Sequence, residues 1–523
     1  MPYSQLRVTR AESEAFFIFG EEDFAWEEPG SDAAAVALPL DEPPYAPPRR
    51  RRPRPRQTRT FAGDLARIRE RVHPAFLAFA LLAAVAAAVG LRLLTSGGDE
   101  PRGQAEPAAR RAQATPVPVP ATPTPKTVVR TLEPEDTGGA VRDLQAALAA
   151  LGFYAETPDG GYGPATSSAV SAFQGDRGLT VDGVAGPDTA RSLVAAVAED
   201  ATDDVEAIER GLAAAVGEGR LEETTAKRYG TAAADALERL ATLPPGRAAT
   251  VGRTLNDLAA QADAYDEHRA LALFAMLETV AAHMAANPLP PAQVDVRDAD
   301  GVVYRYLPAY GFQFHPLANF AHLNGAVRKR RLDEVRRLAP ALAARGVPVG
   351  DALTWEYYFP FGGPSRWTSG LAQAAGAQAL ARAGRALHDP ALLGRAAAAY
   401  RAIPQTLSQP LAGGLWVREY SFSDMAILNA QLQTIVSLSE YADIAGDAGA
   451  VDVAARMSTA AQALLPQFDT GCWSRYSLNG SPASDHYHRY HVSLLETLAR
   501  DTGDPVWQET GARWKAYLDA GGC

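Results

Sequence analysis

Apolar positions fall into three regimes along the 523-residue chain. Residues 74–91, PAFLAFALLAAVAAAVGL, form an eighteen-residue run without a charge, and Leu93 and Leu94 extend it past Arg92. At ~1.5 Å per residue such a helix approaches the ~30 Å hydrocarbon core of a bilayer, so residues 74–94 are predicted to cross a membrane once. In residues 133–197 the spacing becomes helical, at Val141, Leu144, Leu148 and Leu151 and again at Val170 and Phe173, and predicts three short helices around one small core. From residue 200 onward helical spacing dominates, beginning with Val205, Ile208, Leu212 and Val216. Gly217, Gly219, the turn at 244–246 and the prolines at 288, 290 and 291 cut residues 201–288 into hairpin-length helices. Further helices are predicted at 318–338, 369–386, 390–402, 426–444, 451–465 and 491–502, separated by aromatic segments.

The charge distribution orients the predicted span. Ten arginines lie between Arg49 and Arg71, before it, which places residues 1–73 in the cytoplasm and everything after residue 95 outside. Arginines in that position contact anionic headgroups, so they do not argue for nucleic acid as a partner. A cleaved secretory signal would lie nearer the N-terminus and carry a shorter apolar run. Residues 95–132 hold seven prolines by Lys126, ending in TPVPVPATPTPK, and read as an extended spacer. Overall the chain is 47% hydrophobic and 21% charged, with a formal charge of −11, which excludes a wholly disordered or polytopic membrane protein. Its two cysteines, Cys472 and Cys523, form no CxxC pattern, so cysteine-held zinc is excluded. They could pair outside the cell or remain free.

A short repeat marks residues 133–197: DGGYGPAT at 159–166 returns as DGVAGPDT at 182–189. Asp-Gly and Gly-Pro supply turns, and Thr166 and Thr189 stand near the helix starts that follow. Together with VRDLQAALAALGFY and AVSAFQGDRGLT, this segment resembles the peptidoglycan-binding domain of wall hydrolases. The resemblance implies a noncatalytic three-helix module that holds peptidoglycan, with Tyr154, Asp159, Tyr162 and Asp182 as candidate contacts.

The aromatic segments of residues 200–523 carry the candidate chemistry. YRYLPAYGFQFHP (304–316), WEYYFPFGGPSRWTSGLAQ (355–373), GGLWVREYSFSDMAILN (413–429) and DTGCWSRYSLNGSPASDHYHRYH (469–491) mix Trp and Tyr with Arg, Asp and His. Such surfaces stack sugar rings and bind hydroxyls or carboxylates, which points to an anionic glycan. Antiparallel helix pairs with long aromatic connections suggest an α/α toroid. Here the sequence resembles the C-terminal domain of the D-glucuronyl C5-epimerases, through the WxxEY segment leading into ILN (416–429), DTGxxxxYxL (469–478), DxYHxxH (485–491) and TGDPVWQETGARWKAYL. The resemblance implies Tyr420, Tyr476 and Tyr487 as catalytic tyrosines with Glu419 as the adjacent carboxylate. Where that family places an arginine after the equivalent of Tyr476, this chain has Leu478 and Asn479. The family's β-rich region ahead of the helical domain is read as replaced by the helices of 200–290.

Epimerisation at C5 removes a proton alpha to a carboxylate and returns one to the opposite face, so it needs acid/base groups on both sides of a flat intermediate. A free phenol ionises near pH ~10, so one tyrosine is expected to be lowered by nearby cations. Arg418, Arg475 and Arg489 flank the three tyrosines, and one of them is expected to neutralise the substrate carboxylate. Trp367, Trp416, His488 and His491 complete the candidate substrate contacts. His486, His488 and His491 beside Asp485 read as helix-start packing rather than a metal site, and no cofactor is implied. The expected protein is thus mainly α: a single transmembrane helix, a three-helix peptidoglycan-binding domain and an incomplete α/α barrel over 200–523. It is expected to be a membrane-anchored, wall-binding uronate C5-epimerase. Two alternatives stand beside that reading, a uronate polysaccharide lyase on the same fold and a noncatalytic glycan-binding envelope protein.

Overall fold

The computed structural model describes residues 130–522. The basic tail, the predicted span at 74–94, nearly all of the 95–132 spacer and Cys523 lie outside the described residues. Among those described, one helix, Glu267–Ala286, is long and apolar enough to cross a membrane, and half of its most apolar stretch is buried inside the protein.

Three helices begin the described chain: α1 (Gly139–Ala150), α2 (Pro164–Asp176) and α3 (Pro187–Gly217). Proline in the first turn of α2 and of α3 suits a position where no backbone N–H is needed. The sequence repeat is a repeated latch. Buried Gln145 donates to Asp159 Oδ1 (2.7 Å), the Gly161 carbonyl (3.0 Å) and Thr166 Oγ1 (3.1 Å), and accepts from the Gly160 N–H (2.8 Å). Gln174 does the same in the second copy, donating to Asp182 Oδ1 (2.8 Å), the Val184 carbonyl (2.9 Å) and Thr189 Oγ1 (3.1 Å), and accepting from Gly183 N–H (3.0 Å). Each DGxxGPxT turn is therefore held to the preceding helix by one amide whose donors and acceptor are both used.

Helix α3 does not stop at the expected boundary between 197 and 200. It runs 31 residues without a break, about 46 Å at ~1.5 Å per residue, so the peptidoglycan-binding segment and the next bundle share one element. That bundle adds α4 (Glu223–Leu240), α5 (Pro245–Ala259), a 3₁₀ turn (Ala262–Ala264) and α6 (Glu267–Ala286). Its helices sit very close at two points: a Cβ at Gly246 would lie 2.3 Å from the Asp143 carbonyl oxygen of α1, and one at Gly211 would lie 2.5 Å from the Ala262 carbonyl oxygen.

The segment YRYLPAYGFQF, expected to be a loop, is a hairpin. Strands β1 (Asp295–Arg297), β2 (Val303–Leu307) and β3 (Gly311–Phe314) form an antiparallel sheet in that order, with Tyr304 opposite Phe314 and Tyr306 opposite Phe312. Every residue of β2 is buried, so the alternation that flags a half-exposed strand is missing, and its polar Arg305 is paired with Asp295 (2.8 Å). Some β structure therefore does precede the helical pairs.

Four helix hairpins follow: α7 (Pro316–Arg328) with α8 (Leu332–Ala344), α9 (Gly370–Leu387) with α10 (Pro390–Thr406), α11 (Leu428–Ala445) with α12 (Ala448–Phe468), and α13 (Asp485–Thr502) with α14 (Pro505–Asp519). The expected helix at 318–338 is thus two, broken at residues 329–331, where Arg330 takes a left-handed conformation. Helix α13 starts six residues earlier than its spacing suggests, because Ser484 caps it by accepting from the Tyr487 N–H (3.3 Å). The first helices of the pairs pack side by side, α7 on α9, α9 on α11 and α11 on α13. Helices α9 and α11 are buried over most of their surface, while their partners show one outer face. Within pairs two or three residues suffice for the turn, so all long connections emerge at the end where α9, α11 and α13 begin. These connections carry ladders β4 (Val347–Val349) with β5 (Ala352–Thr354), β6 (Glu356–Tyr357) with β7 (Trp367–Thr368), and β8 (Ser408–Leu411) with β9 (Gly414–Val417).

Replacing the second latch amide, Gln174→Leu, should destabilise the protein by about 1–3 kcal/mol, since the Gly183 N–H and the Asp182 carboxylate lose their buried partner. Denaturant unfolding followed by circular dichroism measures this. A change within about 0.5 kcal/mol would mean that the latch contributes little.

Candidate active site

The three tyrosines come from two connections and one helix start. Segment 418–421 is laced to the start of α9 by Gly370 N–H to the Arg418 carbonyl (3.0 Å), Ser421 N–H to the Thr368 carbonyl (2.9 Å) and Thr368 N–H to Ser421 Oγ (3.1 Å). Gly370 permits this approach, because a Cβ there would meet Val417 at 2.4 Å and the Arg418 carbonyl at 2.5 Å. Segment 475–478 is laced to the start of α11 by Leu428 N–H to the Tyr476 carbonyl (3.0 Å) and Leu478 N–H to the Ala426 carbonyl (2.9 Å). Tyr487 lies in the first turn of α13.

These attachments bring Tyr420, Tyr476, Tyr487 and Glu419 together. The Tyr476 and Tyr487 rings are 4.8 Å apart, Tyr476 influences the ionisation of Tyr420, and the buried Tyr420 hydroxyl has no hydrogen-bond partner. All four side chains are buried, at 2–5% exposure. Glu419 Oε1 accepts from Ser369 Oγ (3.0 Å), the N-cap residue of α9, while Glu419 Oε2 has no hydrogen-bond partner.

Burial decides the protonation states. It pushes Glu419 up to about 8, against the opposing effects of the Ser369 hydroxyl and the Leu371 N–H at the start of α9. It also pushes Tyr420 and Tyr476 well above the ordinary phenol value, and the neighbouring Glu419 charge adds to the effect. The expectation that cations lower a phenol is therefore reversed: desolvation outweighs any arginine here. Within the row, Tyr476 makes ionising Tyr420 easier and Tyr487 makes ionising Tyr476 easier. At neutral pH Tyr420 and Tyr476 are therefore neutral hydroxyls beside a carboxyl that titrates at about 8.

An aromatic wall covers Tyr420. Phe361 (5.3 Å), Trp367 (5.5 Å) and Phe422 (5.8 Å) surround its ring, and Trp367 stacks at 4.2 Å on Tyr357. Phe422 is 36% exposed, the outermost member. Trp367 thus stands beside the cluster. The other expected contacts stand elsewhere. Trp416 is fully buried and stacked on Phe468 (5.7 Å), so it is a core residue rather than a sugar platform. His488 and His491 are also fully buried. Both Nδ1 atoms meet the Ser474 hydroxyl, at 2.7 and 2.8 Å, and His488 Nε2 reaches the Trp514 carbonyl (3.1 Å), so they brace the 469–484 connection on α13. Burial lowers the basicity of both. Arg489 pairs with Asp485 on the exposed side of α13 (2.7 Å), Arg418 pairs with Asp424 (2.6 Å), and Arg475 donates to the Gly480 carbonyl (2.6 Å). Among the described residues no group of three His, Cys, Asp or Glu side chains could hold a metal. Cys472 is disulfide-bonded. Of the four candidate peptidoglycan contacts, Tyr154 and Tyr162 are buried, Tyr154 bonded to Gln145 (3.1 Å) and Tyr162 donating to the Gly183 carbonyl (2.8 Å), whereas Asp159 and Asp182 stay exposed while one oxygen of each serves a latch. Sequence reasoning missed Ser369, Phe361 and Phe422. Ser369 carried a signal, a serine directly before an alanine-rich helix.

Residues 350–516 match the family of the D-glucuronyl C5-epimerase C-terminus, and residues 137–193 match the peptidoglycan binding domain family. Both resemblances read from the sequence thus fall on recognised families. The N-acetylmuramoyl-L-alanine amidase CwlL of Bacillus licheniformis is 42% identical over 77 residues, 14% of this chain and 21% of that protein. The amidase CwlM of Mycobacterium tuberculosis is 46% identical over 56 residues, 11% of this chain and 14% of that protein. The chain therefore spans about a fifth and a seventh of these relatives. Among solved structures, the cellobiose 2-epimerase of Bacillus thermoamylovorans is similar at 11% identity and a TM-score of 0.34, over 47% of this chain and 70% of that one.

Glu419 generates a stability prediction with a defined sign. Its folded value of about 8 exceeds the ordinary value of 4.5, so the folded state holds the extra proton between the two. The stability associated with this group is fully present below pH 4.5 and is lost as pH rises through 8. Glu419→Gln, which cannot ionise, should become more stable relative to the unaltered protein as pH climbs from 5 to 9. Melting temperatures of the two proteins across that range test this, and parallel curves would rule out a buried titrating carboxyl.

Proposed function

We propose that residues 200–523 epimerise a hexuronic acid at C5 within an extracellular polysaccharide. The observation that carries the reading is the convergence of three phenols and one near-neutral carboxyl at the common end of α9, α11 and α13. The epimerase-family match over residues 350–516 supports it. In the proposed reaction the Tyr420 hydroxyl first gives its proton to the ionised form of Glu419, which titrates at about 8, and Tyr476 eases that ionisation. The C5–H bond then breaks, its proton going to the Tyr420 oxygen and its electron pair into the enolate of the substrate carboxylate. The Tyr487 hydroxyl delivers a proton to the opposite face of C5, and the proton held on Glu419 returns through the row of hydroxyls to Tyr487, which resets the site with no oxidation or reduction. The substrate would reach the cluster past Phe422 and Phe361, and an arginine from the same connections, Arg418 or Arg475, would turn to its carboxylate. The peptidoglycan-family match supports wall attachment through residues 137–193. The uncharged run at 74–91, extended by Leu93 and Leu94, supports a single membrane anchor with these segments outside, where a disulfide at Cys472 would persist.

Incubating the full chain with a panel of uronate polysaccharides in heavy water should place deuterium at C5. Tyr476→Phe and Tyr487→Phe should each lower that exchange by about 10²–10⁴-fold. Appearance of an ultraviolet-absorbing unsaturated uronate would instead assign β-elimination. Full exchange in both variants would remove the phenols from the chemistry.

A further inference from the structure

The helices of residues 200–286 hold the aromatic wall of the candidate site from outside the family-matched segment. Gln261, at the end of α5, is fully buried, and its amide spends both ends on one connection more than a hundred residues away. Its Nε2 donates to the Ser365 carbonyl (3.0 Å), and its Oε1 accepts from Arg366 Nη1 (3.0 Å). The other end of that connection is gripped by the same bundle: Arg269 of α6 donates to both carboxylate oxygens of Glu356, at 2.8 and 2.9 Å. Between these two ties lie Phe359 and Phe361, and directly after them Trp367, whose indole N–H donates to the Phe359 carbonyl (2.9 Å). Phe361 and Trp367 are the rings against Tyr420. Gln261 cannot drift, because the 3₁₀ turn that follows it is pressed on α3 at Gly211, where no Cβ fits.

We propose that Gln261 is a positioning residue for the reaction proposed above, on which this inference rests. It fixes residues 359–367 so that Phe361 and Trp367 set the place of the Tyr420 hydroxyl. A fully buried amide with donor and acceptor both used anchors two half-buried groups of the connection, so removing it takes away both ties at that end and frees the loop. The helical unit of 200–286 is then part of the catalytic architecture and not a spacer between wall module and enzyme.

The test uses the full chain with Gln261→Met, which keeps the volume and removes both hydrogen bonds. Amide exchange of residues 359–368 should accelerate by about tenfold or more, since a net hydrogen-bond loss of ~1.4 kcal/mol corresponds to a factor of ten, while exchange in α11 stays unchanged. Deuterium incorporation at C5 of a uronate polymer should fall by about ten- to a hundredfold in turnover with little change in KM. Gln261→Glu, which keeps an acceptor for Arg366 and loses the donor to Ser365, should fall between. Unchanged loop exchange in the Met variant overturns the clasp, and normal turnover beside a loosened loop overturns the positioning role. If the unaltered chain exchanges no C5 hydrogen on any polymer, the epimerase reading fails, and the amide exchange alone decides whether Gln261 holds the loop.

Discussion

Each helix pair reverses direction within two or three residues, and this brevity governs where everything else can lie. A tight reversal at one end obliges the next long connection to start from the other, so the segments at 345–369, 407–427 and 469–484 all meet above the starts of α9, α11 and α13. Backbone groups in those connections need partners, and they find them in one another. The Arg418 carbonyl takes the Gly370 N–H and the Tyr476 carbonyl takes the Leu428 N–H. Side chains far apart in the chain are thereby fixed within a ring's width of each other.

What these side chains can do is set by the loss of water around them. In solvent, arginines near a tyrosine would favour its phenolate. In a site where Tyr420, Tyr476 and Glu419 are nearly inaccessible, desolvation is the largest influence on all three, and every one is shifted toward its neutral form. The arginines that flank the tyrosines in sequence are meanwhile engaged with Asp424, Asp485 and the Gly480 carbonyl. Of these three groups the Glu419 carboxyl, titrating at about 8, is the one that changes charge near neutral pH.

The wall-binding segment follows the same economy. In the repeated Asp-Gly and Gly-Pro turns one oxygen of each exposed aspartate is held by a buried glutamine, Gln145 or Gln174. The shared helix α3 then joins this segment to the bundle with no flexible joint at residues 197–200.

The sequence alone determined the helical character of residues 200–523, the two short helices ahead of it with the start of a third, and the identity of the four clustered side chains, but not that the third helix runs on for 31 residues. Helical spacing, turn residues and family motifs are local signals that survive without a fold. It could not show that β2 is a strand, because burial of both faces erases alternation, nor separate Trp367 beside the cluster from Trp416 in the core, since both are tryptophans in aromatic segments. Nor could it show that His488 and His491, expected as substrate contacts, both turn to the Ser474 hydroxyl instead. Direction of ionisation, the role of Ser369 and the grip of Gln261 on a connection more than a hundred residues away depend on solvent exclusion and on contacts between distant segments, and only the packed chain decides those.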